Sequence, residues 1–280
     1  MENKLIICKN CGNLFTGNFC NQCGEKDYKE QDKTVNHFIN EAFHFITHFD
    51  GKFLSTFRLI FLKPGLLAID YCSGIRKKYF SPLSMFLMGV VIYLLAPAFT
   101  GLNVPLQQHK QEVYYPVVKP LIKQKLANKK ITFEQLAEKY DHKSPAFAKV
   151  LLLIIIPLSA LSISLLFFRD KKHFFDNLVI AAELNTFFLY FEFLLLPLLI
   201  FVTRQLINKF FGETFFIDDS ILMVIHFVVF GLVSSIAFRK FYKSKWQSAI
   251  FKSILFLILH AFIVIIVYRL ILAILVLLFL

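Results

Sequence analysis

Long apolar runs recur along this chain, and they constrain its fold more than any other feature of the sequence. A helix of about 18 to 20 apolar residues crosses the hydrocarbon core of a bilayer, which is roughly 30 Å thick. Every backbone polar group must be paired in lipid, so runs of this kind fold as helices. The sequence therefore predicts a mainly α, polytopic membrane protein with about five transmembrane helices, at residues 82–99, 147–168, 178–202, 221–238 and 249–270.

The chain is strongly basic, with 31 Lys and Arg against 19 Asp and Glu, although 57% of its 280 residues are hydrophobic. A basic excess can indicate nucleic-acid binding, but here most of it flanks the apolar runs, where Lys and Arg orient membrane helices. One face would carry Arg76, Lys77 and Lys78 at the membrane interface, together with Arg169, Lys171, Lys172, Arg239, Lys240, Lys243 and Lys245. The positive-inside rule makes that face cytoplasmic. We expect contact with membrane lipid, no nucleic-acid partner, a cytoplasmic N-terminus and an extracytoplasmic C-terminus.

Four of the five cysteines form two C-x-x-C-G turns, with Cys8 and Cys11 in the first turn and Cys20 and Cys23 in the second. Paired thiolates at this spacing are typical ligands of a tetrahedral structural zinc, which would supply the folding energy of so short a segment. The alternative is a pair of disulfides in a secreted protein. Because the first seven residues lack the apolar region of a signal peptide, reduced thiols are favoured. The sequence predicts a zinc ribbon at residues 1–24 that binds one structural Zn²⁺ per chain.

The segment between the ribbon and the first span is expected to contain a linker and several short helices. Residues 25–36 carry mixed charges without apolar periodicity, which indicates a solvated linker. In residues 37–80, Phe side chains recur at helical spacing among charged residues, a pattern typical of amphipathic helices that lie in the membrane interface. Lys63-Pro64-Gly65 and Gly74 divide this region. Residues 81–280 would form the transmembrane domain, with Ser81-Pro82 at its first helix start.

Two stretches of the transmembrane domain depart from a simple series of spans. Residues 102–146 are predicted to form a long extracytoplasmic loop, in which Thr132-x-x-Gln135 is a capping box that begins a helix. We interpret this loop as a small lid or partner-binding subdomain. Residues 249–280 are too long for one upright span and too short for two. They favour one long tilted helix, with Arg269 reaching the far interface.

A possible second polar site lies on one face of a predicted helix, at His37, Glu41, His44 and His48, with Asp50 just beyond it. These are metal-ligand types at helical spacing. One straight helix cannot place all of them around a single ion, because the first and last histidines lie about 16 Å apart along its axis. The alternative is the wetted face of an interfacial helix, sensitive to pH because histidine titrates near neutrality.

Glu183 and Glu192 lie within the third predicted span, where an acidic side chain is costly unless it faces protein or water. They are nine positions apart and therefore point to opposite faces of a helix. Glu192 is the better candidate for a buried partner of His226 or His260, and Glu183 is expected near the cytoplasmic interface. Structural hydrogen bonding between helices explains such groups about as well as a proton or substrate path does.

Several motifs occur together: the two cysteine turns, Phe49-Asp50-x-Lys52-Phe53, Pro64-Gly65, Tyr71-x-x-Gly74-x-Arg76-x-x-Tyr79-x-x-Pro82, Phe175-Asp176-Asn177-Leu178-Val179 and Phe238-Arg239-x-Phe241-Tyr242-x-x-x-Trp246. With the apolar spans, they resemble an uncharacterised bacterial membrane family, domain of unknown function 3667. The resemblance implies this architecture and no reaction, since the family has no established activity. Its members tend to carry histidines where this chain has Glu183 and Asn185, which weakens a metal interpretation there.

Signatures of soluble enzymes, such as a glycine-rich phosphate loop, a nucleophile elbow or an H-E-x-x-H motif, do not occur in the sequence. We therefore favour a non-enzymatic docking, scaffold or regulatory protein of the bacterial inner membrane, whose ribbon binds a cytoplasmic protein partner. The alternative hypothesis is a transporter or a membrane-embedded metalloenzyme. It would use the face of His37, His44 and His48 together with Glu183 or Glu192.

Overall fold

The computed structural model describes residues 5–27, 34–35, 52–95, 103–211 and 218–280, and its secondary structure is almost entirely helical. Near the N-terminus, β1 (Ile6–Ile7) and β2 (Leu14–Phe15) form a two-stranded antiparallel sheet. The helices are α1 (Lys52–Leu62), α2 (Leu66–Ser73), α3 (Pro82–Leu95), α4 (Tyr115–Lys129), α5 (Phe133–Leu151), α6 (Ile155–Leu166), α7 (Phe174–Tyr190), α8 (Leu196–Phe211), α9 (Asp219–Phe241), α10 (Trp246–Phe262) and α11 (Arg269–Phe279). The prediction of a mainly α chain is confirmed.

Among the described residues, four helical segments are long and apolar enough to cross a membrane: Phe133–Leu166, Phe174–Phe210, Ser220–Phe241 and Trp246–Phe279. Three of these four segments each consist of two consecutive helices. A 3₁₀ turn connects α5 to α6, and π-helical segments connect α7 to α8 and α10 to α11. The expectation of several membrane-compatible helices is confirmed, and the C-terminal region is one continuous helical segment, as expected.

Two predicted spans differ from the helices that contain them. The helix of the second span begins at Phe133 rather than near residue 147, because Thr132 and Gln135 form the predicted capping box at its start. Within the described residues, the predicted span 82–99 contributes only α3. Its start is as expected, since Ser81 Oγ accepts a hydrogen bond from the backbone N–H of Ser84 at 3.1 Å.

Helix α7 forms the centre of the bundle, and every residue from Phe175 to Tyr190 is buried. It packs chiefly against α3 and α6. The side chain of Asn177 donates to Ser164 Oγ of α6 at 2.8 Å and accepts from the hydroxyl of Tyr242, after α9, at 2.6 Å. Because lipid tails are as apolar as a protein core, such hydrogen bonds help to select which helices become neighbours.

Helices α1 and α2 lie along α7. The ring of Phe57 is 5.4 Å from that of Tyr190, and the ring of Phe61 is 4.8 Å from that of Phe187, between centroids. These aromatic rings pack against protein, since α7 offers a buried aromatic surface to which the apolar face of α1 is complementary. The position of α1 in the membrane interface stays a prediction.

The bundle has two distinct ends. At the first end, the rings of Phe167 and Tyr242 stack at 3.7 Å, and Lys172 lies 4.9 Å from the ring of Phe241. The short basic loops predicted to share one face therefore gather there. At the opposite end, Arg269 forms an ion pair with Glu112 at 3.0 Å. Its location at the far membrane interface stays a prediction.

The region predicted as the long loop 102–146 contains a 3₁₀ turn at Gln108–Gln111 and the helices α4 and α5, which pack against α11. The His109 ring is buried here, 3.0 Å from the hydroxyl of Tyr114 and 3.1 Å from that of Tyr140. Burial lowers the pKa of His109 and so keeps the ring neutral. The region is thus a packed helical subdomain, consistent with its interpretation as a subdomain.

We predict that Gly65→Ala destabilises the bundle. Gly65 has a φ of +83°, and a Cβ there would lie 2.8 Å from Ala237 Cα and 2.9 Å from its carbonyl oxygen. Left-handed strain and a backbone clash together should cost about 2–4 kcal/mol of folding free energy. Thermal melting of the purified protein, followed by helical circular dichroism, measures the loss.

Gly17→Ala is the matched control. Gly17 has a φ of +96°, but nothing lies within 4 Å of a Cβ placed there. This variant shares the backbone strain without the clash and lies outside the helical bundle, so its helices should melt as in the wild type. Equal melting temperatures for Gly65→Ala and the wild type would contradict the packing described here.

Candidate functional site

The two C-x-x-C-G turns of the N-terminal module adopt the same local conformation. In each turn the glycine N–H donates to the carbonyl of the first cysteine, at 2.9 Å from Gly12 to Cys8 and 2.8 Å from Gly24 to Cys20. Both glycines have positive φ angles, +77° and +70°, which side-chain-bearing residues rarely adopt. The turns therefore present their thiols in equivalent ways, and β1 and β2 bring them together.

The four thiol sulfurs lie within 4.8 Å of one another and could hold a metal ion. Sγ of Cys8 is 3.5 Å from that of Cys23, and Sγ of Cys11 is 3.6 Å from that of Cys20. A disulfide would bring two sulfurs to about 2.05 Å, whereas sulfurs at the corners of a tetrahedral Zn–S₄ site are about 3.8 Å apart. The spacing fits four ligands of one ion, and no disulfide joins any of the described cysteines.

The environment of Cys20 favours the thiolate form that a metal requires. Burial of this thiol would raise its pKa, but hydrogen bonds from the backbone N–H groups of Cys23 and Gln22 and from neighbouring thiols outweigh that effect. The pKa of Cys20 is lowered to about 6. Backbone amides directed at cysteine sulfur are therefore a feature of the second turn.

Glu25 follows the second cysteine turn and was expected to begin a solvated linker. It is instead 2% exposed, and its Oε2 accepts hydrogen bonds from the backbone N–H groups of Lys77 at 2.9 Å and Arg76 at 3.2 Å. The module is thus packed on the turn between α2 and α3. The difference arises because backbone N–H groups distant in sequence donate to one oxygen of this carboxylate.

The three basic residues predicted to lie at the membrane interface have different environments. Lys77 and Lys78 are exposed, but Arg76 is buried, with its guanidinium 4.4 Å from the centre of the Tyr71 ring and 5.8 Å from that of Phe175. Arg76 therefore stacks against aromatic rings of α2 and α7, a cation–π arrangement that removes it from a free surface.

Glu183 is almost completely buried, on the side of α7 that faces α2. Its Oε1 accepts from the backbone N–H of Gly65 and its Oε2 from that of Ala68, both at 2.7 Å. These N–H groups belong to the N-terminus of α2, where a helix has no internal acceptors. Both oxygens thus cap a neighbouring helix, an arrangement that fits a structural role.

Glu192 lies in the π-helical segment Phe191–Leu195 and forms an ion pair with His226 of α9. The expectation that Glu192 is the partner of His226 or His260 is confirmed for His226. His260 instead lies 3.1 Å from the side-chain oxygen of Asn185. Glu183 and Glu192 therefore contact different helices, as their opposite faces predicted.

A cavity of about 610 Å³ opens between α8 and the N-terminal half of α9, next to this ion pair. Its walls are mainly apolar, and its polar groups are Glu192, His226 and Arg204. A π-helical turn often marks a functional site, because it displaces side chains from the regular helical pattern. The cavity is large enough for a small solute and joins polar groups to apolar walls.

The remaining predicted polar site, at His37, Glu41, His44, His48 and Asp50, lies outside the described residues. Within the part of the chain that is described, the four cysteines are the one group of three or more His, Cys, Asp or Glu residues with converging ligand atoms. Glu192, His226 and His260 do not form such a group there.

Described residues from several of the sequence motifs lie close together at the first end of the bundle. Gly65 contacts Ala237, Arg76 and Tyr71 contact Phe175, and Asn177 binds Tyr242. Residues 50–94 match the family model described as "Protein of unknown function (DUF3667)". The match covers α1, α2 and nearly all of α3, and it supports the resemblance for that segment. No curated protein and no solved structure matches the chain.

Sequence reasoning did not identify Glu25 or Asn177 as contact residues. For Glu25 a signal was available, since it follows Cys23-Gly24 directly and begins the segment closest to the cysteine turns. Asn177 belongs to one motif and its partner Tyr242 to another, but sequence separation hides their contact. Pairing these groups requires knowledge of which helices are neighbours.

Proposed function

We propose that this integral membrane protein is a docking or scaffold protein, in which a zinc-bound N-terminal ribbon binds a protein partner and the helices anchor it. The observation that carries the proposal is a set of exposed apolar side chains on the module that the cysteines hold together. Exposed apolar groups of this kind mark interaction sites. The exposed fractions are 66% for Leu5, 67% for Ile7, 58% for Leu14 and 61% for Phe19.

A structural zinc ion is the ligand that best fits the four thiols. Zn²⁺ favours four-coordinate sulfur sites, and a site closed by four cysteines leaves no position for a water or substrate. The ion would contribute folding energy to a module whose buried side chains are few, Cys8, Phe15, Cys20 and Glu25. This closed ligand set favours docking over catalysis at the ribbon.

The same observations support an orientation in the bacterial inner membrane. Reduced thiols belong to a reducing compartment, and the ribbon contacts the end of the bundle at which the short basic loops gather. We propose that this end is cytoplasmic, in agreement with the positive-inside rule. The subdomain around Glu112 would then lie on the opposite side.

We predict one zinc ion per chain in the purified protein, measured by inductively coupled plasma mass spectrometry. Cys20→Ser removes one of four ligands and should reduce the zinc content at least tenfold. Cys72→Ser is the matched control, because Cys72 lies in α2, outside the cluster. Zinc retained by Cys20→Ser, or lost equally from both variants, would count against the site.

For the docking role, we predict that replacing Ile7 and Leu14 by Ser abolishes partner binding without changing the zinc content. These residues face each other across the two strands and are not ligands. The measurement is chemical cross-linking in cells, followed by quantitative mass spectrometry of co-purified proteins. A partner of the ribbon should decrease at least tenfold in this variant and in Cys20→Ser.

The control for this experiment replaces Val113 and Val117, which are 82% and 55% exposed at the other end of the bundle, by Ser. It should leave the partner unchanged. A co-purification profile identical in the ribbon variant and the wild type would refute the docking proposal, whatever the zinc content.

The cavity beside Glu192 favours a second function, the passage of protons across the membrane. Ionisable groups among membrane helices often mark ion or proton paths. Here Glu192 and His226 bridge two helices at the edge of a mainly apolar cavity. This function would be independent of the ribbon.

This second function predicts proton flux in vesicles that contain the purified protein and an internal pH-sensitive dye. Glu192→Gln should slow the dissipation of an imposed pH gradient at least tenfold, since the amide carries no exchangeable acidic proton. Glu138→Gln, at an exposed position of α5, is the control and should not change the rate. A wild-type rate equal to that of protein-free vesicles would exclude the function.

A further inference from the structure

Few residues form the contact between the cysteine module and the turn that joins α2 to α3, but each of them makes a defined interaction. Glu25 is 2% exposed, and its Oε2 accepts two backbone N–H groups, from Arg76 and Lys77. Burial of a carboxylate is costly unless such donors are present. Glu25 also belongs to the second cysteine turn, because its carbonyl accepts the N–H of Cys20 at 2.8 Å.

Lys77 approaches the same turn from the other side. Its ammonium nitrogen lies 2.9 Å from the position that a Cβ would occupy on Gly24, the residue directly after Cys23. A side chain at residue 24 would displace the lysine. The glycine therefore serves two purposes, since it supplies a positive φ to the turn and leaves space for a cation.

A cation at this position complements the charge of a loaded site. Four thiolates around one Zn²⁺ leave two negative charges in excess, and Glu25 adds another nearby. The guanidinium of Arg76 is already stacked on Tyr71 and Phe175, so Lys77 is the side chain of this turn that reaches the module. Groups around metal ligands commonly change metal affinity by 10- to 100-fold.

We propose that Lys77 and Glu25 form an outer contact layer of the metal site, through which bound zinc holds the ribbon on the turn between α2 and α3. The inference rests on the proposed zinc binding. Loss of the metal then releases the module from the turn between α2 and α3, and these two helices lose their contact with the module. Metal occupancy is thereby coupled to the membrane domain by residues that are not ligands.

The coupling is reciprocal, because any contact that the metal strengthens must in turn strengthen metal binding. Lys77→Ala should weaken zinc affinity about tenfold, measured on the full-length protein by competition with a chromogenic chelator. Lys77→Arg should restore most of the affinity. Lys78→Ala, an exposed lysine of the same turn near the Tyr79 ring, should leave it unchanged.

Hydrogen exchange of backbone amides provides a readout besides affinity. The N–H groups of Arg76 and Lys77 are bonded to Glu25, so removal of zinc with a chelator should accelerate their exchange at least tenfold. The N–H groups of Gly65 and Ala68, which are bonded to Glu183, are the internal control and should not change.

The outcomes separate this inference from the proposed function. Zinc bound at one equivalent, with unchanged exchange at residues 76 and 77 after chelation, overturns the coupling and leaves the ribbon intact. Equal zinc affinity in Lys77→Ala and the wild type also overturns it. Absence of bound zinc from the wild type would overturn both proposals.

Discussion

The carboxylate of Glu183 on α7 closes the N-terminus of α2, and the attachment of the short helices to the bundle depends on this contact. Both of its oxygens accept backbone N–H groups, from Gly65 and Ala68. Hydrogen bonds to charged groups contribute about 1.5–3 kcal/mol each, and a buried group that loses its partner costs a similar amount. Because Gly65 also touches Ala237, α2, α7 and α9 meet at one place. Pro64-Gly65 and Glu183 therefore form one structural unit.

Helix α7 is buried in an apolar bundle and yet contains several polar side chains. Successive groups bind different neighbours: Glu183 binds α2, Asn185 lies beside His260 of α10, and Thr186 donates to the carbonyl of Pro82 at the start of α3. In lipid, apolar contact does not distinguish one helix from another. Directional bonds from one central helix fix the arrangement, and the ion pair of Glu192 extends the same principle to α9.

The sequence predicted features that depend on neighbouring residues or on the regular spacing of apolar residues. These include the long apolar helices, the capping box at Thr132, the helix start at Ser81 and the paired cysteine turns. Of the contacts between distant segments, the sequence analysis anticipated the pairing of Glu192 with His226 but not those of Glu25 or Arg76. Glu25 lies in a segment with the composition of a linker, and Arg76 in a basic run typical of a membrane interface. Both are buried because they contact groups remote in sequence, backbone N–H groups for Glu25 and the Phe175 ring for Arg76. Residues near in sequence determine where a helix forms, whereas residues distant in sequence determine whether a charged side chain is buried.

The π-helical segment Phe191–Leu195 divides one long helix into two parts with different surroundings. Before it, α7 is buried on all sides; after it, Leu198, Leu199 and Phe201 are more than half exposed. A π turn contains one residue more than an α turn, and one residue rotates the following helix by about 100°. These five residues therefore rotate the second part of the helical segment relative to the first. The part before them lies at the centre of the bundle, and the part after them lies at its surface.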